Sequence, residues 1–550
     1  MSNLTDSSRT VAPPAMYGAI PIAHCPPAHS PGFEPEPVKS VWRQDLRTNL
    51  WRVWDRFPLI RTLPVLLLVV GLWHFPYPAY LDPTGPRILS VYIGMIAAVM
   101  LTSYELSVIV TLALAFLIVT QNLQCSTPEG GWIACHRCQT TGPDGRPLCH
   151  GMEGAFQTAV SGFSNKINWL VFSAFHIGKA VMLSGLGQRI GFTLLRTMGG
   201  SALGIAYAFT LAEILLAPFV PSNTARGGGI IYPIVVSVIE SLGVSHHTHP
   251  EMGQFVLFAA AQANLISSSF FITGMAGNPL LAPKAREIFG FQWDFGKWFL
   301  GNLLPGGIIA LLMPLVVYRL FRPRIPPCVI RDSIEEQSQF VKPFSMRELK
   351  LCVILLGALV LWVTGPLTGI DSAVVAFLAF AALVVTRVLE WSDVLGNTTA
   401  WDTLFWLGSF IILAEQLNAF GITTWLGQGL SRQLTGLPPW PALGALSIIY
   451  VGTMYLFSST TSHILALSSP LLMAAFELGC PAGPAVAMIS YLSALGSCLT
   501  NYSTGTLVMY FSQDYISRGR WFFNGLVVLA LYLTCYAVIG PFWWKLLGWY

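Results

Sequence analysis

The chain has 550 residues and a net charge of +4, with 54% hydrophobic and only 10% charged residues; its mean hydropathy is +0.61. A soluble domain carries about a quarter charged residues, so this composition excludes an ordinary globule and indicates a polytopic membrane protein. The small, scattered charge also excludes a nucleic-acid partner.

Residues 1–60 include "VAPPAMYGAIPIAHCPPAHSPGFEPEPVK", which is proline-rich and aperiodic and predicts a disordered tail. No apolar core follows a basic start there, so it is not a secretory signal, and scarce arginine argues against a transit peptide. Lys39, Arg43, Arg47, Arg52, Arg56 and Arg61 precede the first apolar span. A second basic cluster, Arg322, Arg324, Arg331, Lys342, Arg347 and Lys350, lies in the long mid-chain loop. The positive-inside rule puts both clusters, and with them the N-terminal tail, on the cytoplasmic side, and demands an even number of crossings between them. Nothing in the residues selects a plasma membrane over an organelle membrane.

Six spans fit that interval, at about 63–82, 88–103, 107–120, 166–183, 254–289 and 297–320. The loop 121–152 holds Cys125, Cys135, Cys138 and Cys149 and falls on the non-cytoplasmic side. Disulfides are the plain expectation there, and a zinc site using His136 or His150 is the alternative. "GLGQRIGFTLLR" (185–196) is amphipathic and suits the membrane surface. Residues 200–243 must enter and return on one side, as a re-entrant hairpin with "PSNTARGGG" at its tip. Further spans follow at about 350–368, 371–389, 403–421, 484–512 and 523–546, with a second re-entrant hairpin at 440–480. The expected fold class is therefore an all-α polytopic membrane protein with about 11 transmembrane helices plus two hairpins. Irregular backbone at membrane depth is tolerated only where protein or a watery cavity covers it, so paired hairpins imply a site for something polar.

"SNTARGGGIIYP" (222–233) reappears in altered form as "STTSHILALSSP" (459–470). Ser222 and Ser459 are 237 residues apart, as are Trp169 and Trp406, Thr224 and Thr461, and Arg226 and His463. The shared offset argues for duplication, with a first repeat at 61–345 and a second at 346–550. The assigned orientations make the repeats inverted, an architecture that places a site between them at the membrane midplane. A broken helix follows each hairpin, at "ITGMAGNPLLAP" (272–283) and "TNYSTGTLVMY" (500–510). Gly274, Gly277, Pro279 and Gly505 disfavour continuous helix there. Thr273-Gly274 and Thr504-Gly505 occupy comparable places. Hydroxyls, the Asn223 amide and helix N-termini can donate to a carboxylate. Arg226 and His463 are expected to offer two facing donor groups to a molecule anionic at both ends. Removing Arg226 should then abolish transport without unfolding. Glu213, Glu415 and Lys179 also sit in apolar segments, where ionisable groups are functional candidates. "SHHTHPE" (245–251) reads as a solvated turn, with metal binding or pH sensing the sharper alternative.

At these motifs the chain resembles the divalent anion/sodium symporter family. It is most similar to the branch of plastid 2-oxoglutarate/malate translocators and bacterial citrate/succinate and tartrate/succinate antiporters. The matching stretches are "GFSNKINWLVFSAF" (162–175), "PSNTARGGGIIYP", "FFITGMAGNPLL" (270–281), "LTNYSTG" (499–505) and "GPFWWKLLG" (540–548). The resemblance implies substrate binding around Ser222, Asn223, Thr224, Ser459, Thr460, Thr461 and the two breaks, bringing in Thr273, Gly274, Asn278, Thr504 and Gly505. It also implies a homodimer in lipid that moves a transport domain past a scaffold as an elevator. Two departures bear on sodium: the second signature reads Ser-Thr-Thr, and Gly505 stands where a proline is typical. A residual sodium site would draw on Ser222, Asn223, Gly274, Thr461 and Thr504. The favoured expectation is exchange of di- or tricarboxylates of the malate, 2-oxoglutarate, succinate and citrate class with no cofactor and no obligatory sodium. The alternative is a sodium-coupled dicarboxylate symporter. Neither HExxH nor GxSxG occurs, which argues against an embedded enzyme. Inverted hairpins with broken helices suit alternating access better than a channel.

Overall fold

The computed structural model describes residues 58–550 except 103, 128–130, 139–148 and 339–342. The tail expected at 1–60 lies outside the described residues up to position 57. The structure is built of helices whose limits follow local chemistry. Helix α1 (Pro58–Trp73) stops well short of the expected 82, because Pro76 and Pro78 cannot continue it. α2 (Thr84–Leu101) and α3 (Leu106–Val119) lead to a short antiparallel pair, β1 (Gln124–Ser126) and β2 (Trp132–Ala134). Disulfides Cys125–Cys135 and Cys138–Cys149 fasten this loop. The sulfurs of Cys125, Cys138 and Cys149 do lie together. As disulfide sulfurs they offer no thiolate, so the zinc alternative is set aside.

The sequence reading missed α4 (Gly151–Ser161), which follows the disulfide loop. α5 (Lys166–Ser184) begins where the Asn165 side chain accepts from the Ile167 amide, and it ends at Gly185, whose φ of +82° suits glycine. The amphipathic segment forms α6 (Leu186–Met198). The first hairpin descends as α7 (Ala202–Leu216), turns through 217–223, and returns as a π-helical segment, Thr224–Ile231, that continues into α8 (Tyr232–Ser241). α9 (Pro250–Phe270) is followed by a 3₁₀ turn at Ile272–Gly274, another at Asn278–Leu280, and α10 (Leu281–Phe289). α11 (Phe295–Phe321) precedes the basic loop, which carries a helix of its own, α12 (Pro327–Ser338).

In the second half, a Ser345–Glu348 capping box starts α13 (Met346–Thr368), and α14 (Ser372–Val385) and α15 (Trp391–Leu395) follow. α16 (Thr398–Ala419) bends by 69° into α17 (Ile422–Gln433), a counterpart of α6 that the sequence reading missed. The second hairpin is α18 (Pro439–Gly452), a 3₁₀ turn at Thr453–Leu456, and α19 (Thr460–Glu477). α20 (Ala482–Leu495), a 3₁₀ turn at Gly496–Leu499, α21 (Gly505–Phe511) and α22 (Arg518–Leu546) complete the chain.

From α5 to α11 and from α16 to α22 the same kinds of element recur in the same order. The packing is reciprocal too, since α14 lies on α5 while α3 lies on α16. Two buried apolar clusters form. One joins both hairpins to α9, α11, α20 and α22; the other joins α2, α3, α4 and α16, and α5 contributes to both. Among the described residues six helices are long and apolar enough to cross a membrane, or seven if the bent α16–α17 pair is one span. Each of the six overlaps one of the eleven expected spans. α9 is not among them, because its C-terminal half carries Gln262, Asn264, Ser267, Ser268 and Ser269, all buried. So polar a stretch inside protein requires internal partners, and these define the site.

Candidate functional site

Both hairpin tips and both helix breaks converge. At the first tip, Ser222 caps the returning limb by accepting from the Ala225 amide at 3.1 Å, and Asn223 Oδ1 accepts from the Thr224 amide at 3.0 Å. The first break reaches the tip through Thr273, whose hydroxyl donates to the Pro218 carbonyl at 2.9 Å. The second break grips the same tip from the other half. Thr506 donates to the Asn223 carbonyl at 2.9 Å, and Tyr510 donates to the Gly227 carbonyl at 3.2 Å. A β-carbon at Gly505 would lie 3.0 Å from Thr224, so glycine permits this approach. At the second tip, Ser459 caps α19. The Thr460 amide donates to the Ser503 carbonyl at 3.0 Å, and its hydroxyl bonds Ser497 at 2.7 Å. A β-carbon at Gly277 in the first break would lie 3.5 Å from the Thr461 hydroxyl. Each tip is thus seated against both breaks.

Arg226 has a different role from the expected one. It is 0% exposed, and its Nε donates to Glu213 at 2.7 Å. Nη1 donates to the carbonyls of Val220 (2.7 Å) and Gly274 (2.8 Å). Nη2 donates to the hydroxyls of Ser267 (2.9 Å) and Ser268 (2.8 Å). All five N–H groups of the guanidinium are therefore used inside the protein. Glu213 also accepts from the Asn264 amide and the Ser267 hydroxyl. Arg226 is a brace between the hairpin, α9 and the first break rather than a donor facing an anion. A charge at membrane depth needs such a partner, and Glu213 supplies it.

His463 is corrected in the same way. It is 0% exposed, its Nε2 lies 3.0 Å from both the Tyr450 carbonyl and the Thr453 hydroxyl, and its ring packs 4.4 Å from that of Tyr450. Glu213 and Tyr450 are separated by the same 237 residues as Arg226 and His463. The brace is therefore duplicated, as a charged pair in one half and a neutral aromatic pair in the other. Tyr450 in turn bonds Ser493 on α20, much as Glu213 bonds Ser267 on α9.

The expected site residues separate into two groups. Arg226, Thr273, Gly274, Asn278, Thr460 and His463 are buried and spend polar groups on the protein; the Asn278 amide, for example, holds the carbonyls of Ser268 and Phe271. Thr504, also buried, caps α21. Ser222, Asn223, Ser459 and Thr461 are partly buried, and Thr224 and Gly505 are exposed. Among the described residues the Asn223 amide nitrogen and the hydroxyls of Thr224 and Thr461 have no protein partner. These open donors can meet a carboxylate. The sequence reading did not assign Asn264, Ser267, Ser268, Ser497, Ser503 and Thr506, which hold the two tips. The polar run "QANLISSS" inside an apolar helix was the signal for Asn264, Ser267 and Ser268.

Comparison with known proteins agrees with this geometry. The putative malate transporter YflS of Bacillus subtilis (strain 168) is 31% identical over 496 residues, covering 89% of this chain and 97% of its own. The L-tartrate/succinate antiporter of Escherichia coli (strain K12) is 30% identical, with 88% and 97% covered. The chloroplastic dicarboxylate transporter 1 of Spinacia oleracea is 28% identical, with 90% and 82% covered. Among solved structures, the Alcanivorax borkumensis YdaH transporter has a similar fold, with a TM-score of 0.51 at 12% identity, covering 85% of this chain and 99% of that one. Residues 58–550 match the family described as the sodium:sulfate symporter transmembrane region, and the chain belongs to that family of multi-pass membrane transporters.

Proposed function

We propose that the protein exchanges di- or tricarboxylates of the malate, succinate, 2-oxoglutarate and citrate class across a membrane. The observation that carries this reading is the convergence of two hairpin tips presenting Ser222, Asn223, Thr224, Ser459 and Thr461, with donors left open beside the N-terminus of α19. Such donors match carboxylate oxygens, and the helix end adds positive potential. The similarity to malate, tartrate/succinate and dicarboxylate transporters supports the substrate class.

The reading includes inverted repeats at 61–345 and 346–550, re-entrant hairpins, and a homodimer in which the hairpin body moves past a scaffold as an elevator. It also includes exchange without obligatory sodium. In support, the Arg226 guanidinium already places a fixed positive charge at the first break, donating to the carbonyls of Gly274 at 2.8 Å and Val220 at 2.7 Å.

The test is uptake of labelled malate into proteoliposomes, preloaded or not with 2-oxoglutarate, with sodium or potassium outside. Uptake that needs internal dicarboxylate and ignores sodium is expected. Sodium-driven uptake into empty vesicles would replace exchange by symport, and silence under both conditions would remove the substrate class.

A further inference from the structure

A cavity of about 280 Å³ lies between α5 and the first hairpin tip, lined by Lys179, Met182, Ser222, Thr224, Asn397 and Thr399. Its size is near the lower limit for small-ligand sites, about 300 Å³. Lys179 is partly buried, and among the described residues it makes no hydrogen bond or ion pair. Four other cations are matched, Arg226 by Glu213, Arg189 by Glu348, Lys166 by Asp371 and Lys284 by the Ser468 hydroxyl, whereas Arg196, Arg286 and Arg319, also without a side-chain partner among the described residues, are exposed. An ammonium within an apolar helix is costly without an opposite charge. The open Thr224 hydroxyl identified above lines the same cavity, as does Ser222, whose oxygen accepts from the Ala225 amide and whose O–H remains free to donate.

The charge belongs to one half only. The residue 237 positions on is Gln416, which is neutral and buried, and whose side chain accepts from the Gln124 amide at 2.8 Å. The cavity also has a side. Lys179 is near the C-terminal end of α5, one turn beyond which Arg189 pairs with Glu348 at the start of α13; Asn397 and Thr399 begin α16. This is the end that carries the basic mid-chain segment.

We propose that Lys179 is the counter-charge for a substrate carboxylate arriving from the basic-segment face. One carboxylate takes the Ser222 and Thr224 hydroxyls, and the Lys179 ammonium takes the other. The proposal rests on the dicarboxylate reading above and deepens it: an ion pair formed on one face makes affinity unequal on the two faces. Because α5 precedes the hairpin, movement of the hairpin body past it would break the pair and release the anion.

The experiment compares wild type, Lys179→Gln and Lys179→Arg in proteoliposomes of fixed orientation, measuring KM and kcat for succinate from each face. Lys179→Gln is expected to raise KM at least tenfold from the basic-segment face and no more than twofold from the other. Lys179→Arg, which keeps the charge, should stay within threefold of wild type. Unchanged KM from both faces in Lys179→Gln, with an active wild type, would overturn the proposal and leave the dicarboxylate reading standing. An equal loss from both faces that Lys179→Arg shares would also overturn it, in favour of packing. A wild type that exchanges no dicarboxylate would remove the underlying reading and this inference together, and only that result silences wild type.

Discussion

Arg226→Ala deletes the cation of a pair whose members are both 0% exposed, leaving Glu213 buried with only the Asn264 amide and Ser267 hydroxyl to hold it. Breaking a buried ion pair from one side costs about 3–5 kcal/mol, most of it the penalty of the stranded charge. The carbonyls of Val220 and Gly274 lose their donor as well, which places the loss at the upper end of that range. With each kcal/mol worth about 2 °C in a large domain, the apparent Tm in detergent should fall by about 10 °C. Size-exclusion retention after heating measures this. The double variant Glu213→Gln with Arg226→Gln removes both charges and should recover at least half of the loss, since no ion is then stranded. An Arg226→Ala protein with wild-type Tm and only a raised KM would refute the reasoning and return the guanidinium to the substrate.

The open donors should behave in the opposite way. Thr224→Val and Thr461→Val are each expected to raise the KM for dicarboxylate about tenfold, the worth of a hydrogen bond to a charged group, with Tm unchanged. A fall in Tm would make them braces. Gly227→Ala places a β-carbon 2.6 Å from both the Asn264 amide and the Thr506 methyl, so overpacking should cost about 1–3 kcal/mol and transport should fall with stability; Tm of the purified variant checks it. Cys125, Cys135, Cys138 and Cys149 should resist alkylation until a reductant is added, by mass spectrometry. Their separations of 10 and 11 residues make each bridge worth about 2.5–3 kcal/mol to the loop.

The apolar periodicity, the prolines and the repeated serine–threonine signature determined by themselves most of the long helices, where two hairpins turn and where two later helices break, though not the shorter α4 and α17. Those features depend on local sequence: span length, capping hydroxyls, and residues that cannot continue a helix. The 237-residue offset likewise anticipated the recurrent order of elements and the paired positions of Arg226 and His463. Only the tertiary structure decided what those two residues do. A buried arginine reads identically in sequence whether it faces an anion or a carboxylate of its own chain, and the difference lies in Glu213 and in Ser267 and Ser268 on a neighbouring helix. The same holds for Lys179, whose want of a partner emerges only when every surrounding helix is in place. Backbone limits follow from neighbours in sequence, whereas the role of a charge follows from neighbours in space, because burial and pairing set its energy.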